Sequence, residues 1–195
     1  KGYVNGCERN SGAGRAGWMS YRPEIKVLDC TIRDGGLMNN HQFPDETVRA
    51  VYQACVESNL DYMEIGYINS REQFPPGEFG PWKHCQEADV RRIVGDNDTA
   101  LKIAVMADAE KSDYKEDILS RSESVIDLIR VATYIHQIPL ALDMIKDAND
   151  KGYETSLNLM ALSTVNDREL NEALALLARS EVEVICIVDS FGALY

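Results

Sequence analysis

No apolar run in this 195-residue sequence approaches the ~18 consecutive residues needed to cross a bilayer. The opening residues, KGYVNGCERNSGAGRAGW, lack the apolar h-region of a secretory signal, so a cytoplasmic setting without membrane association is expected. Positive charge is scarce: 20 Lys and Arg stand against 32 Asp and Glu, for a net −12. Nucleic-acid binding needs a basic face that displaces counterions, and this balance argues against it. A local pair of cations could still hold an anionic substrate. The five cysteines (Cys7, Cys30, Cys55, Cys85, Cys186) are odd in number, far apart and form no CxxC. They read as reduced thiols packed as small hydrophobes, with neither a disulfide framework nor a structural zinc site. With three histidines and no GxSxG, a Ser–His–Asp hydrolase has little support. A formal GxGxxG at Gly12 to Gly17 has neither a strand before it nor a helix after it, so a dinucleotide site is rejected.

What is present is a rhythm. Residues 1–24 are polar, Gly-rich and aperiodic, and read as a flexible leader. From residue 25 come six short apolar segments: 26–32, 61–67, 100–106, 124–132, 154–160 and 182–190. They are bounded by polar or Gly-containing stretches, as buried parallel strands are. Helical patterns lie between them. Val48, Val51, Tyr52 and Cys55 follow Pro44 at helical spacing. Asn166 to Glu169 offers a capping box before Leu170, Ala173, Leu174 and Leu177. The segment 140–151 ends at Gly152, a natural helix stop. Residues 68–85 hold Pro75, Pro76 and Pro81 and read as a long loop. Alternating strands and helices imply α/β architecture with a parallel sheet. Periodicity fits both a doubly wound sheet and part of a (β/α)8 barrel.

Polar residues gather at the C-terminal ends of these segments. Arg33 and Asp34 close the first, and two glycines that could free the chain to turn follow them. Glu64 lies within the second, Arg130 late in the fourth, Asn158 in the fifth, and Asp189 and Ser190 end the sixth. Each has a structural explanation, such as an Arg33–Glu64 pair across neighbouring strands or a turn capped by Asp189. Together they favour a site, because ligands bind at that edge of parallel α/β folds. Carboxylate and amide oxygens suit Mg²⁺ or Mn²⁺, and a guanidinium can hold a carboxylate or an enolate oxygen. The combination suggests carbonyl polarisation and carbon–carbon bond chemistry.

LDCTIRDGG (28–36) resembles the first-strand signature D-x-T-x-R-D-G of the metal-dependent aldolase and 3-hydroxy-3-methylglutaryl-CoA lyase-like barrels, relatives of isopropylmalate and homocitrate synthases. MEIG resembles the second-strand segment with that family's glutamate, and VDSFGALY its sixth-strand segment. The resemblance implies a (β/α)8 TIM barrel, of which residues 25–195 would form about the first six units. It implies that Asp34 binds a divalent metal, Mn²⁺ or Mg²⁺, that Arg33 stabilises an enolate, and that Glu64 supports the arginine. His41 aligns with a histidine of the same loop and is the candidate acid/base, with a solvated loop histidine as the other reading. Leu37 stands where the oxovalerate-type aldolases carry their catalytic histidine. Arg130, Asn158, Asp189 and Ser190 would line the substrate pocket. His84 and His136 are expected to be structural or superficial. The family's later H-x-H metal pair has no counterpart before Tyr195, so the chain is expected to be a fragment or a truncated barrel that self-associates through its open edge. The implied function is a lyase acting on a 4-hydroxy-2-oxo acid through a pyruvate-like enolate. An acyl-CoA-condensing synthase, or an inactive barrel remnant used for binding or assembly, is the alternative.

Overall fold

The computed structural model describes Arg22 and residues 24–193. The leader, apart from Arg22 and Glu24, the Gly12–Gly17 match, Cys7 and the last two residues of VDSFGALY lie outside the described residues. Six parallel strands form one sheet: β1 (Leu28–Asp29), β2 (Tyr62–Tyr67), β3 (Lys102–Asp108), β4 (Leu128–Thr133), β5 (Glu154–Leu159) and β6 (Ile185–Ile187). Their order in space is their order in sequence. A doubly wound sheet reverses direction at a switch point, whereas a barrel adds each strand to the last. The unreversed order therefore resolves what periodicity left open, and the sheet is a curled half-barrel.

The helices are α1 (Thr31–Gly35), α2 (Asp45–Glu57), α3 (Glu87–Val94), α4 (Tyr114–Asp117), α5 (Ile138–Asp150) and α6 (Asp167–Leu177). The apolar stripe read after Pro44 is the buried face of α2, through Val48, Tyr52 and Cys55. Asn166 caps α6 by accepting the Glu169 N–H at 3.0 Å, and α5 ends before Gly152 at φ 93°. The main core lies between helices and sheet: Met63 and Ile65 of β2, Ile103 and Val105 of β3 and Ile129 and Val131 of β4 pack there with Met144 and Ile145 of α5. The alternate residues face the barrel interior, where Tyr67, Met106 and Ala132 make a small second cluster with Met160.

Two local departures from the sequence reading shape that interior. The first strand is two residues long, and Thr31–Gly35 is a helical turn, so Arg33 and Asp34 do not sit on a strand end. Asp29 starts this turn by accepting the Thr31 N–H at 3.1 Å and its hydroxyl at 2.7 Å, which ends the extended run early. In β2, the pairing with β3 skips one residue between Glu64 and Gly66. Such a bulge flips the alternation. Gly66 then lies opposite Val105 and faces the helical layer, while Tyr67 lies opposite Met106 and turns inward.

Candidate active site

The interior is organised around one carboxylate. Glu64 is 0% exposed, and its two oxygens accept from different arginines: Oε2 from Arg33 Nε at 2.6 Å and Oε1 from Arg130 Nη1 at 2.8 Å. Arg33 comes from the turn after β1 and Arg130 from β4, so the triad ties three segments together across the barrel. Burial opposes both guanidinium charges, but Glu64 acting with the neighbouring groups, Tyr67 and Asp34 at Arg33 and Cys186 and Cys30 at Arg130, outweighs it and leaves each arginine more firmly protonated than usual. Arg33 also pairs through Nη1 with Asp34, whose side chain is 59% exposed at the mouth. The guanidinium is thus held at two edges before any ligand arrives. Such preorganisation makes a fixed dipole effective toward a developing oxyanion.

The thiols close round the same group. Arg130 Nη2 lies 3.9 Å from Cys186 Sγ, and the Cys30 thiol is pushed up by burial and by Glu64. Among the described residues Cys30, Cys55, Cys85 and Cys186 are all free thiols, and of these Cys55 and Cys85 are buried. Asn158, on β5 opposite Ala132 and Cys186, is buried, and its Oδ1 has no hydrogen-bond partner. Ser156, level with Arg130, likewise leaves its hydroxyl without a partner. Open acceptors on a barrel wall are where a ligand's donors would be received.

Asp189 and Ser190 stand farther out, both exposed in the segment after β6. The Ser190 hydroxyl accepts the Ala161 N–H at 3.0 Å, and Asp189 Oδ1 accepts the Ala193 N–H at 3.0 Å, the turn-capping role considered for it. His41 is not a solvated loop residue. It is 2% exposed, packs edge-on to the Tyr67 ring at 5.2 Å between centroids, and has its pKa lowered to about 4 by burial and by the neighbouring cations Lys83 and Arg33. The glycine pair has a different purpose from the one expected. Gly35 and Gly36 both have ordinary helical φ of −59°, so neither needs glycine's freedom to turn. A Cβ on Gly36 would lie 2.0 Å from His41 Nδ1, so the glycine is there to admit the imidazole. His84 is buried, its Nδ1 3.0 Å from the Asn69 carbonyl, and His136 is exposed and stacked on Tyr134.

Sequence reasoning missed the cations around an inward-facing tyrosine at the mouth. Tyr67 carries Arg33, His41 and Lys83 around its ring, and Asp108 at the end of β3 accepts from Asn69 Nδ2 at 2.9 Å. Burial raises the Tyr67 phenol to about 12. A lysine within an otherwise Pro- and aromatic-rich loop was the available signal, but the strand bulge that aims Tyr67 inward leaves no trace in the sequence pattern.

The donor set does not make a divalent-metal cage. Mg²⁺ and Mn²⁺ ask for about six oxygens. Asp34 offers one carboxylate, already paired with Arg33, and no three His, Cys, Asp or Glu side chains converge among the described residues. No helix among them is long and apolar enough to cross a membrane.

No family model matches the chain. It is similar to 4-hydroxy-2-oxovalerate aldolase 3 of Rhodococcus jostii, at 25% identity over 173 residues, covering 88% of this chain and 50% of that protein. The 4-hydroxy-2-oxovalerate aldolase of Geobacillus thermodenitrificans is 26% identical over 180 residues, with 90% and 51% covered. The chain therefore spans about half the length of the curated relatives it matches. Among solved structures, the N-terminal domain of a Bacteroides vulgatus protein assigned as an aldolase superposes with a TM-score of 0.71 at 29% identity, over 87% of this chain and 56% of that one. The HMG-CoA lyase of Brucella melitensis shares the fold, with a TM-score of 0.55 at 14% identity, over 86% and 62%.

Proposed function

Because the chain belongs to the aldolase and HMG-CoA lyase-like barrel superfamily, we propose that it carries the enolate-stabilising part of an aldolase-type carbon–carbon lyase. The substrate in this reading is a 4-hydroxy-2-oxo acid. The 4-hydroxyl loses its proton, the C3–C4 bond breaks to release an aldehyde, and the electron pair moves to the C2 oxygen. Protonation at C3 then gives pyruvate or a homologue. The observation that carries the reading is Arg33: a guanidinium pinned by Glu64 and Asp34 at the C-terminal mouth, where an enolate oxygen could be met by a donor already in place. In this reading Arg130, Ser156 and Asn158 line the substrate wall on β4 and β5, and Asp189 and Ser190 border it from the segment after β6.

The proposed proton acceptor, His41, is kept neutral at pH 7 by burial, as a base must be. Its low basicity makes it a slow one. Dependence on Mn²⁺ or Mg²⁺, with Asp34 as one ligand, is what the family resemblance implies. The test is pyruvate release from a series of 4-hydroxy-2-oxo acids by the intact protein, with and without added Mn²⁺. Arg33→Ala is expected to lower kcat by about 100-fold or more. Undiminished turnover in that variant would remove the mechanism.

A further inference from the structure

Lys83 is 6% exposed, and its ammonium is held in an unusual way. It ends the short 3₁₀ turn Pro81–Lys83 after β2. A Cβ on Gly66 would stand 2.1 Å from the Trp82 carbonyl oxygen, so the glycine is what allows this turn to lie directly on the strand. The Lys83 carbonyl then accepts the Asn69 N–H at 3.2 Å. From that fixed base the side chain reaches the barrel mouth, with Nζ 4.1 Å from the centre of the Tyr67 ring and 4.3 Å from that of Phe74. Among the described residues Nζ makes neither a hydrogen bond nor an ion pair, only these two ring contacts.

An ammonium has three N–H donors, and ring faces replace only part of the hydration lost on burial. Burial and Lys111 accordingly pull the Lys83 pKa down, with Asp108 opposing them. Three unused donors on a rigidly based cation are a receptor for anionic oxygens. The Tyr67 ring also carries Arg33, whose Cζ lies 5.9 Å from the same centre, so the two cations stand within about 10 Å of each other (5.9 and 4.1 Å from one point). That upper limit, with charge-assisted hydrogen bonds of ~2.8 Å at each end, restricts a ligand that meets both cations to a short carbon chain.

We propose that Lys83 is the site's remote anion anchor: it binds a second anionic group, carboxylate or phosphate, at the end of the substrate away from Arg33. The substrate is then a short dianion, with its second charge on the half released as the aldehyde. This rests on the aldolase reading for the chemistry, but the anchor can be measured without turnover.

The experiment is calorimetric titration of the intact protein with glutarate, with 3-phosphonopropionate and with butyrate as the monoanion control. At least one dianion should bind about tenfold or more tighter than butyrate, as one charge-assisted contact allows. Whichever of the two binds tighter identifies the group. Lys83→Met should erase the preference, and Lys83→Arg should keep part of it. Thermal unfolding accompanies the titrations: Lys83→Met fills the ring cage without a buried charge, so its midpoint should not fall. A wild type that does not distinguish dianions from butyrate, or a preference that survives in Lys83→Met, overturns the proposal. If Lys83→Met does not fold, the wild-type preference and its partial retention in Lys83→Arg still decide. Lys83-dependent dianion binding without pyruvate release would remove the aldolase reading and keep the anchor. Turnover of monoanionic oxo acids with KM unchanged in Lys83→Met would do the reverse.

Discussion

Glu64 concentrates more of the site's energetics than any cation it holds. Its two buried oxygens satisfy two partly buried guanidinium groups, so replacing it by glutamine leaves two charges facing one neutral amide. Breaking such a buried network costs about 3–5 kcal/mol, and urea denaturation of Glu64→Gln should show a loss of that order. His41 sets a pH dependence of its own. Its folded pKa of about 4 lies below the 6.5 of an unperturbed histidine, so the folded protein binds fewer protons than the unfolded chain. The stability this provides is complete above about pH 6.5 and is lost progressively as pH falls toward 4, by about 3 kcal/mol. His41→Asn tests it, since asparagine tolerates the positive φ of 59° at this position. The variant should flatten the fall in stability between pH 6.5 and 4; an unchanged slope would assign that fall to other groups.

At the scale of elements, the active mouth depends on small irregularities more than on the strands themselves. The bulge in β2 turns Tyr67 from the helical layer to the interior, and Gly66 beside it admits the turn that bears Lys83. Gly66→Ala should therefore act twice. The clash with the Trp82 carbonyl is with backbone, which cannot swing aside, and overpacking of this kind costs about 1–3 kcal/mol. Moving the turn would also shift Lys83 from the Tyr67 ring. A heteronuclear NMR spectrum of Gly66→Ala should show shifts concentrated at residues 81–85 and around Tyr67; a spectrum altered only near residue 66 would contradict that coupling. Regular elements were more legible than these. The segments read as strands from 61, 100 and 154 begin within four residues of β2, β3 and β5, because their apolar runs are bounded on both sides. The first strand is shorter than its apolar run, since nothing in an apolar stretch announces that Asp29 will bond Thr31 and start a helical turn.

For the whole molecule, the parallel sheet grades from a buried centre to open flanks. β2 through β5 are buried almost throughout, whereas β1 pairs over two residues and Ile185 and Ile187 of β6 are exposed. Hydrogen exchange should follow this gradient, with the slowest amides in β3 and β4 and fast exchange in β1 and β6. Uniform protection across all six strands would show that this gradient of burial does not set local stability.

What the sequence determined alone was the alternation of strands and helices, the identity of the polar residues near the C-terminal strand ends, and the family resemblance of LDCTIRDGG. Those depend on local periodicity and on residue type. Tertiary structure decided the rest, because it depends on which residues meet. It chose a barrel-like order over a doubly wound one, joined Arg33 and Arg130 through a single glutamate, buried His41 against Gly36, and laid Lys83 on an aromatic ring at the mouth. Each of these is a contact between segments far apart in the chain, set by how the strands register and where one of them bulges, and no local pattern carries that information.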